Sequence, residues 1–105
     1  MNDPRLVYMT TSSVQEAKEI CRKLVAKKLI ACANIINNVT SIYEWNASIT
    51  EEVECMMIAK TTQAKVDTLV SEFTKLHSYE CPCILILPIE SGNQQFIQWL
   101  KETVH

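Results

Sequence analysis

Apolar residues change their spacing several times along this chain, and each change marks an element. Residues 5–10, RLVYMT, form a run of β-favouring side chains that predicts a short strand. Two overlapping helix-start signals follow, Ser12-x-x-Gln15 and the capping box Ser13-x-x-Glu16. Val14, Ala17, Ile20, Cys21, Leu24 and Val25 then recur at helical spacing, with Lys18, Glu19, Arg22 and Lys23 opposite. Lys27 and Lys28 suit the helix C-terminus. From residue 32 to 45 the pattern is extended: Val39, Ser41, Tyr43 and Trp45 share one face, and Thr40, Ile42 and Glu44 the other. Asn46-Ala47-Ser48 makes a turn, and residues 51–61 return as a second long strand. Residues 62–77 predict a helix burying Val66, Leu69, Val70, Phe73 and Leu76. CILILPI, residues 83–89, reads as a strand. After Gly92 a short closing helix, capped by Asn93, is expected to bury Phe96, Ile97 and Leu100.

The order β-α-β-β-α-β-α predicts an α+β domain of the ferredoxin-like, split βαβ type. Right-handed crossovers place both main helices on one face of the antiparallel sheet, and the other face should then be polar. It is not. Cys55/Met57 and Met56/Ile58 are apolar on both sides, residues 83–89 have no polar face, and residues 6–9 are similarly two-sided. The closing helix is too short to cover a four-stranded sheet. An apolar face of that size marks a partner surface, so a homo-oligomer is expected, with the long middle hairpin reaching the next copy.

Composition narrows the function. A chain of 105 residues is one domain, 1–105, long enough for one core. Its net charge of −2, with scattered Lys and Arg, gives no attraction to nucleic acid or an anionic membrane. The polar opening MNDPR lacks the apolar stretch of a signal peptide. The five cysteines (21, 32, 55, 81, 83) lack zinc-finger spacing, and reduced thiols in the cytoplasm are the expectation. The sequons Asn38-Val39-Thr40 and Asn46-Ala47-Ser48 point the other way, toward export. No P-loop, His-Glu-x-x-His or nucleophile elbow is present, so no enzyme is expected.

Two groups of residues carry candidate chemistry. In LHSYECPCILILPIE, residues 76–90, Cys81 and Cys83 point the same way in an extended chain, with Cα atoms about 6–7 Å apart. They either pack as small hydrophobes or, with His77, converge on a soft metal ion. His77 either interacts with the last carbonyls of its helix or binds metal. Cys21, Cys32 and Cys55 read as core packing. In the second group are Tyr43, Trp45, Glu54, Lys60, Tyr79 and Trp99. Lys60 ends an apolar run and requires a carboxylate or carbonyl partner. Glu54 lies about 20 Å away along the same strand, so that partner comes from another element or subunit. The group forms either an intersubunit ion pair with aromatic packing or a pocket for a small anion at a subunit cleft.

Several strings together resemble the CutA family of divalent-cation-tolerance proteins. They are Leu29-Ile30-Ala31-Cys32-Ala33-Asn34, Ser41-Ile42-Tyr43-Glu44-Trp45, Glu54 before Ile58-Ala59-Lys60-Thr61, Leu76-His77-Ser78-Tyr79-Glu80-Cys81-Pro82, Leu87-Pro88-Ile89 and Trp99-Leu100. The resemblance runs from the first strand to Trp99. It implies a ferredoxin-like homotrimer, similar in architecture to the PII signalling proteins, with clefts between subunits. It also implies binding of copper or another divalent metal ion and a part in metal tolerance, without catalysis. A PII-like signalling or scaffold trimer, taking a small anion or an unidentified partner protein at its clefts, is the alternative. The family usually has Pro where this chain has Ser78, and commonly an acidic residue where it has Cys83. Copper-linked members carry a thiol and a His-His pair; the matching positions here are Met9 and Leu76-His77, which keep one imidazole and offer a thioether. Met9, His77, Cys81 and Cys83 are therefore the expected metal ligands.

Overall fold

The computed structural model describes residues 2–105. Strand β1 (Pro4–Thr11) leads into helix α1 (Val14–Ala26). The hairpin of β2 (Cys32–Trp45) and β3 (Ser48–Thr62) follows, and a short 3-10 turn (Gln63–Lys65) opens helix α2 (Val66–Leu76). Strand β4 (Ile84–Pro88) and helix α3 (Gln94–Thr103) complete the chain. The sheet order is β2-β3-β1-β4, with every neighbouring pair antiparallel. This is the ferredoxin-like arrangement. Among the described residues no helix is long and apolar enough to cross a membrane.

Local chemistry sets the boundaries. Ser13 caps α1: its hydroxyl accepts the Glu16 N–H at 3.1 Å. The Glu16 carboxylate does not return to Ser13 as a reciprocal box would; it accepts from the Ser12 N–H and hydroxyl and from the Ser78 N–H. Asn93 caps α3 by accepting the Phe96 N–H at 2.9 Å. Helix α2 starts four residues later than the sequence pattern predicts, because the 3-10 turn takes up the first residues after β3. Strand β4 begins one residue after Cys83.

The pairing register separates the two faces, since residues opposite each other across a ladder share a side. Val7, Met9, Cys55, Met57, Ala59, Ile84 and Ile86 face α1 and α2, where Ala17, Ile20, Leu24, Leu69 and Phe73 complete a closed core. On the other side lie Leu6, Tyr8, Ile36, Met56, Ile58, Leu85 and Leu87. Leu85 is 58% exposed there, and Leu87 and Ile36 are each 44% exposed. The expected apolar open face is therefore present. Helix α3 touches β1 and β3 and buries Leu100 and Val104 against Ala31 in a second, smaller cluster. Phe96, expected to be buried, is exposed and packs on Trp99 instead, with ring centroids 5.3 Å apart. Cys32, expected in the core, is half-buried and pairs with Lys60 on the open face.

One irregularity positions the site. Between Ile36/Met56 and Val39/Glu54, two residues of β2, Asn37 and Asn38, oppose Cys55 alone. This is a β-bulge, with Asn38 at φ 58°. The extra residue reverses the alternation of β2, so Val39, Ser41, Tyr43 and Trp45 join Asn34 and Ile36 on the open face. Beyond Cys55, β3 loses β1 as a neighbour, and the hairpin continues as a two-stranded arm of about 20 Å. Its turn, Asn46-Ala47, has φ of 51° and 62°, the positive values that a type I′ connection requires.

Candidate functional site

A cleft of about 610 Å³ opens at the root of the arm. Its far wall is Tyr43 and Trp45 from β2 with Glu52 and Glu54 from β3; its near wall is Thr10 and the loop from Tyr79 to Cys83. The bulge supplies the first wall by turning Tyr43 and Trp45 to the side of Glu52 and Glu54. The second is held by His77.

His77 caps the C-terminal end of α2 and is only 8% exposed. Its Nε2 lies 2.8 Å from the Thr10 carbonyl, and its Nδ1 lies 3.0 Å from the Tyr79 N–H. A carbonyl only accepts and an N–H only donates, so the network assigns a neutral ring that donates from Nε2 and accepts at Nδ1. The imidazole packs against Phe73 at 5.1 Å and Tyr79 at 4.8 Å. It thus ties α2, β1 and the cleft loop together. Glu16 adds a second tie through the Ser78 N–H at 2.9 Å. Burial alone would raise the Glu16 carboxyl; hydrogen bonds from Ser78 and Ser12 outweigh that and hold it below its usual value.

Within the cleft, the Tyr43 hydroxyl donates to Glu52 and the Tyr79 hydroxyl donates to Glu54 at 3.3 Å. The bond to Glu52, with burial and the charges of Glu52 and Glu54, pushes the Tyr43 phenol up to about 12. Tyr79 is raised by burial first and then by Glu54. The Cys83 thiol is raised by burial and by the Glu54 charge, against a lowering hydrogen bond with Thr10. Glu80 also borders the space, and no Lys, Arg or His does. The cleft is an acidic, aromatic-walled cavity.

The structure brings together Tyr43, Trp45, Glu54 and Tyr79 of the expected constellation and separates the other two. Lys60 lies six residues from Glu54 along β3, and its Nζ donates to Asn34 Oδ1 at 2.8 Å, the partner from another element that its position requires. Trp99 sits on α3 beside Phe96. Glu52, Glu80 and Thr10 were missed. The signal for Glu52 was its parity with Glu54, two residues on.

The expected metal ligands are not assembled within the chain. Met9 has no exposed surface and faces the helices between Met57 and Ile84. Cys83 precedes Ile84 and lies on the opposite side of the sheet, beside Thr10. Both nitrogens of His77 already serve backbone groups. Among the described residues no group of three or more His, Cys, Asp or Glu side chains could hold a metal ion. A centre built on Met9 and His77 does not fit these residues. Cys81 and Cys83 do reach the cleft.

A four-stranded ferredoxin-like sheet with an uncovered apolar face, a projecting hairpin arm and a cleft at its root defines a small α+β protein of split βαβ topology. The chain belongs to the CutA family: the family model described as CutA1 divalent ion tolerance protein matches residues 5–103. It is 40% identical over 98 residues to the divalent-cation tolerance protein CutA of Archaeoglobus fulgidus, covering 93% of this chain and 95% of that one. It is 39% identical over 95 residues to human protein CutA, covering 90% of this chain and 53% of that protein. Against the Xenopus laevis CutA homolog it spans 64% of the relative's length. The crystal structure of the divalent ion tolerance protein CutA1 from Ehrlichia chaffeensis superposes with a TM-score of 0.94 at 36% identity, covering 100% of this chain and 98% of that one.

Proposed function

We propose that this protein is a homotrimer that binds divalent and soft metal ions, copper among them, at clefts on its open sheet face, and that it serves metal tolerance without catalysing a reaction. Family membership supports the metal tolerance. The observation that carries the binding reading is the lining of the cleft. Glu52, Glu54 and Glu80 stand beside two thiols with no cationic side chain among them, a setting that concentrates cations. The same lining disfavours the small anion weighed as an alternative ligand. Assembly is supported by Ile36, Leu85 and Leu87, exposed on the open face where a further copy would cover them, and the number three is what family membership suggests. Equilibrium dialysis of purified protein against Cu(II) and Zn(II) tests the reading. Glu52→Gln with Glu54→Gln is expected to weaken binding by about tenfold or more, since each removes a charged oxygen donor. Parent protein that retains neither ion would contradict it. A second reading, as a platform for a partner protein, is favoured by Ile42, Ile49 and Val53, which share the other side of the arm, where Ile49 is 82% exposed. Ile49→Lys would then release the partner while leaving the oligomer intact.

A further inference from the structure

The fold gives Cys81 and Cys83 no packing duty equal to that of the other thiols. Cys21 and Cys55 are enclosed between α1 and the sheet. Cys32 lies beside Lys60, toward the other end of β3 from the arm. Cys81, by contrast, is exposed, Cys83 is half-buried, and both border the cleft. Their relative placement is constrained. Pro82 fixes its own φ and keeps Cys81, where the chain bends, out of the helical region. The Cys83 carbonyl accepts the Thr10 N–H at 3.4 Å, which continues the β1–β4 pairing and anchors that end of the loop. Separated by one residue, the two thiols border the same cleft, which lets two sulfurs close on one ion between them.

The two thiols are the softest donors bordering the cleft, and their softness selects the ion. Zinc takes four ligands, and calcium or magnesium needs a shell of oxygens. Two thiolates alone satisfy a soft, closed-shell monovalent cation that accepts linear coordination. We propose that Cys81 and Cys83 form a two-coordinate thiolate site for Cu(I) at the mouth of the cleft. This rests on the metal-binding reading above and specifies its oxidation state and ligands. Binding forms two Cu–S bonds and releases two thiol protons to solvent; the ion arrives as Cu(I), and no electron moves.

The test uses the full chain in its native oligomeric state, titrated anaerobically with Cu(I) held reduced by ascorbate, against bicinchoninate as competitor. The expected result is one Cu(I) per chain, two sulfur neighbours at the copper absorption edge, and two protons released. Cys81→Ser or Cys83→Ser should each lower the affinity about 100-fold, because a thiolate donor is replaced by a hydroxyl that Cu(I) binds poorly. Cys32→Ser should leave it unchanged. A thermal melt of each variant establishes that it folds, and Cys83→Ala replaces Cys83→Ser if the hydroxyl is not tolerated. Parent-like Cu(I) affinity in the double Cys81/Cys83 variant, or nitrogen and oxygen neighbours at the copper edge, would overturn the site. Zn(II) and Cu(II) titrations of the same samples keep the two proposals apart. Divalent binding that depends on Glu52 and Glu54, alongside cysteine-independent Cu(I), sinks the thiolate site alone. Loss of all divalent binding with sulfur-bound Cu(I) intact sinks only the divalent reading.

Discussion

Replacing His77 with alanine separates a structural imidazole from a metal ligand. The ring makes two hydrogen bonds to backbone, at 2.8 Å and 3.0 Å, from a site that is 8% exposed. Each is worth about 1 kcal/mol net, and leaving the Thr10 carbonyl without its donor costs about 1 kcal/mol more. The edge contact with Phe73 adds about 0.5–1 kcal/mol. His77→Ala should therefore destabilise each chain by about 3–4 kcal/mol. The assay is urea unfolding followed by circular dichroism. Protein concentration must be held fixed, because an oligomer's apparent stability depends on it. Hydrogen exchange at the Tyr79 N–H should accelerate in parallel, since that group loses its acceptor. A stability loss under about 1 kcal/mol, with metal affinity reduced tenfold or more, would refute the assignment and return His77 to the role of ligand.

Three further outcomes follow from local chemistry. Ala47 holds φ 62° in the arm turn, so Ala47→Gly should stabilise the protein by about 1 kcal/mol; a loss in the same urea assay would contradict the turn geometry. Glu52→Gln removes the charge beside Tyr43, whose titration, followed by tyrosine ring NMR, should fall from about 12 toward 10.0; an unmoved midpoint would place Glu52 elsewhere. The Glu16 carboxyl is lowered in the folded state, so its contribution to stability is present above its ordinary value of 4.5 and is lost as pH falls below it. Glu16→Gln should flatten the acid side of a stability–pH profile, and a variant whose acid loss matches the parent's would show that the Ser12 and Ser78 bonds carry no linkage.

Much of this was legible because the relevant physics is local. Ser13 and Asn93 cap helices as their side chains dictate, and the helical stripe of residues 17–24 is the one that is buried. The two-sided apolar strands announced the open face, because no covering element was available in the remaining length. What was not legible depends on contacts distant in sequence. The bulge at Asn37-Asn38 has only a weak signal, an asparagine suited to positive φ, yet it decides that Tyr43 and Trp45 share a side with Glu52 and Glu54. His77 was open to reading as a ligand because residue type does not reveal that Thr10, 67 positions away, takes its Nε2. Met9 likewise presents a thioether in the sequence and a sealed core residue in the fold. Lys60 obeyed the general rule that a cation ending an apolar strand finds a carboxylate or carbonyl partner, here the side-chain carbonyl of Asn34 on the adjacent strand.

The uncovered sheet carries the proposed assembly, since Ile36, Leu85 and Leu87 stay exposed in a single chain. Multi-angle light scattering of dilute purified protein tests this most directly. The account predicts a single species of three times the 12.0 kDa chain mass, and a stable, soluble species of one chain mass would contradict it.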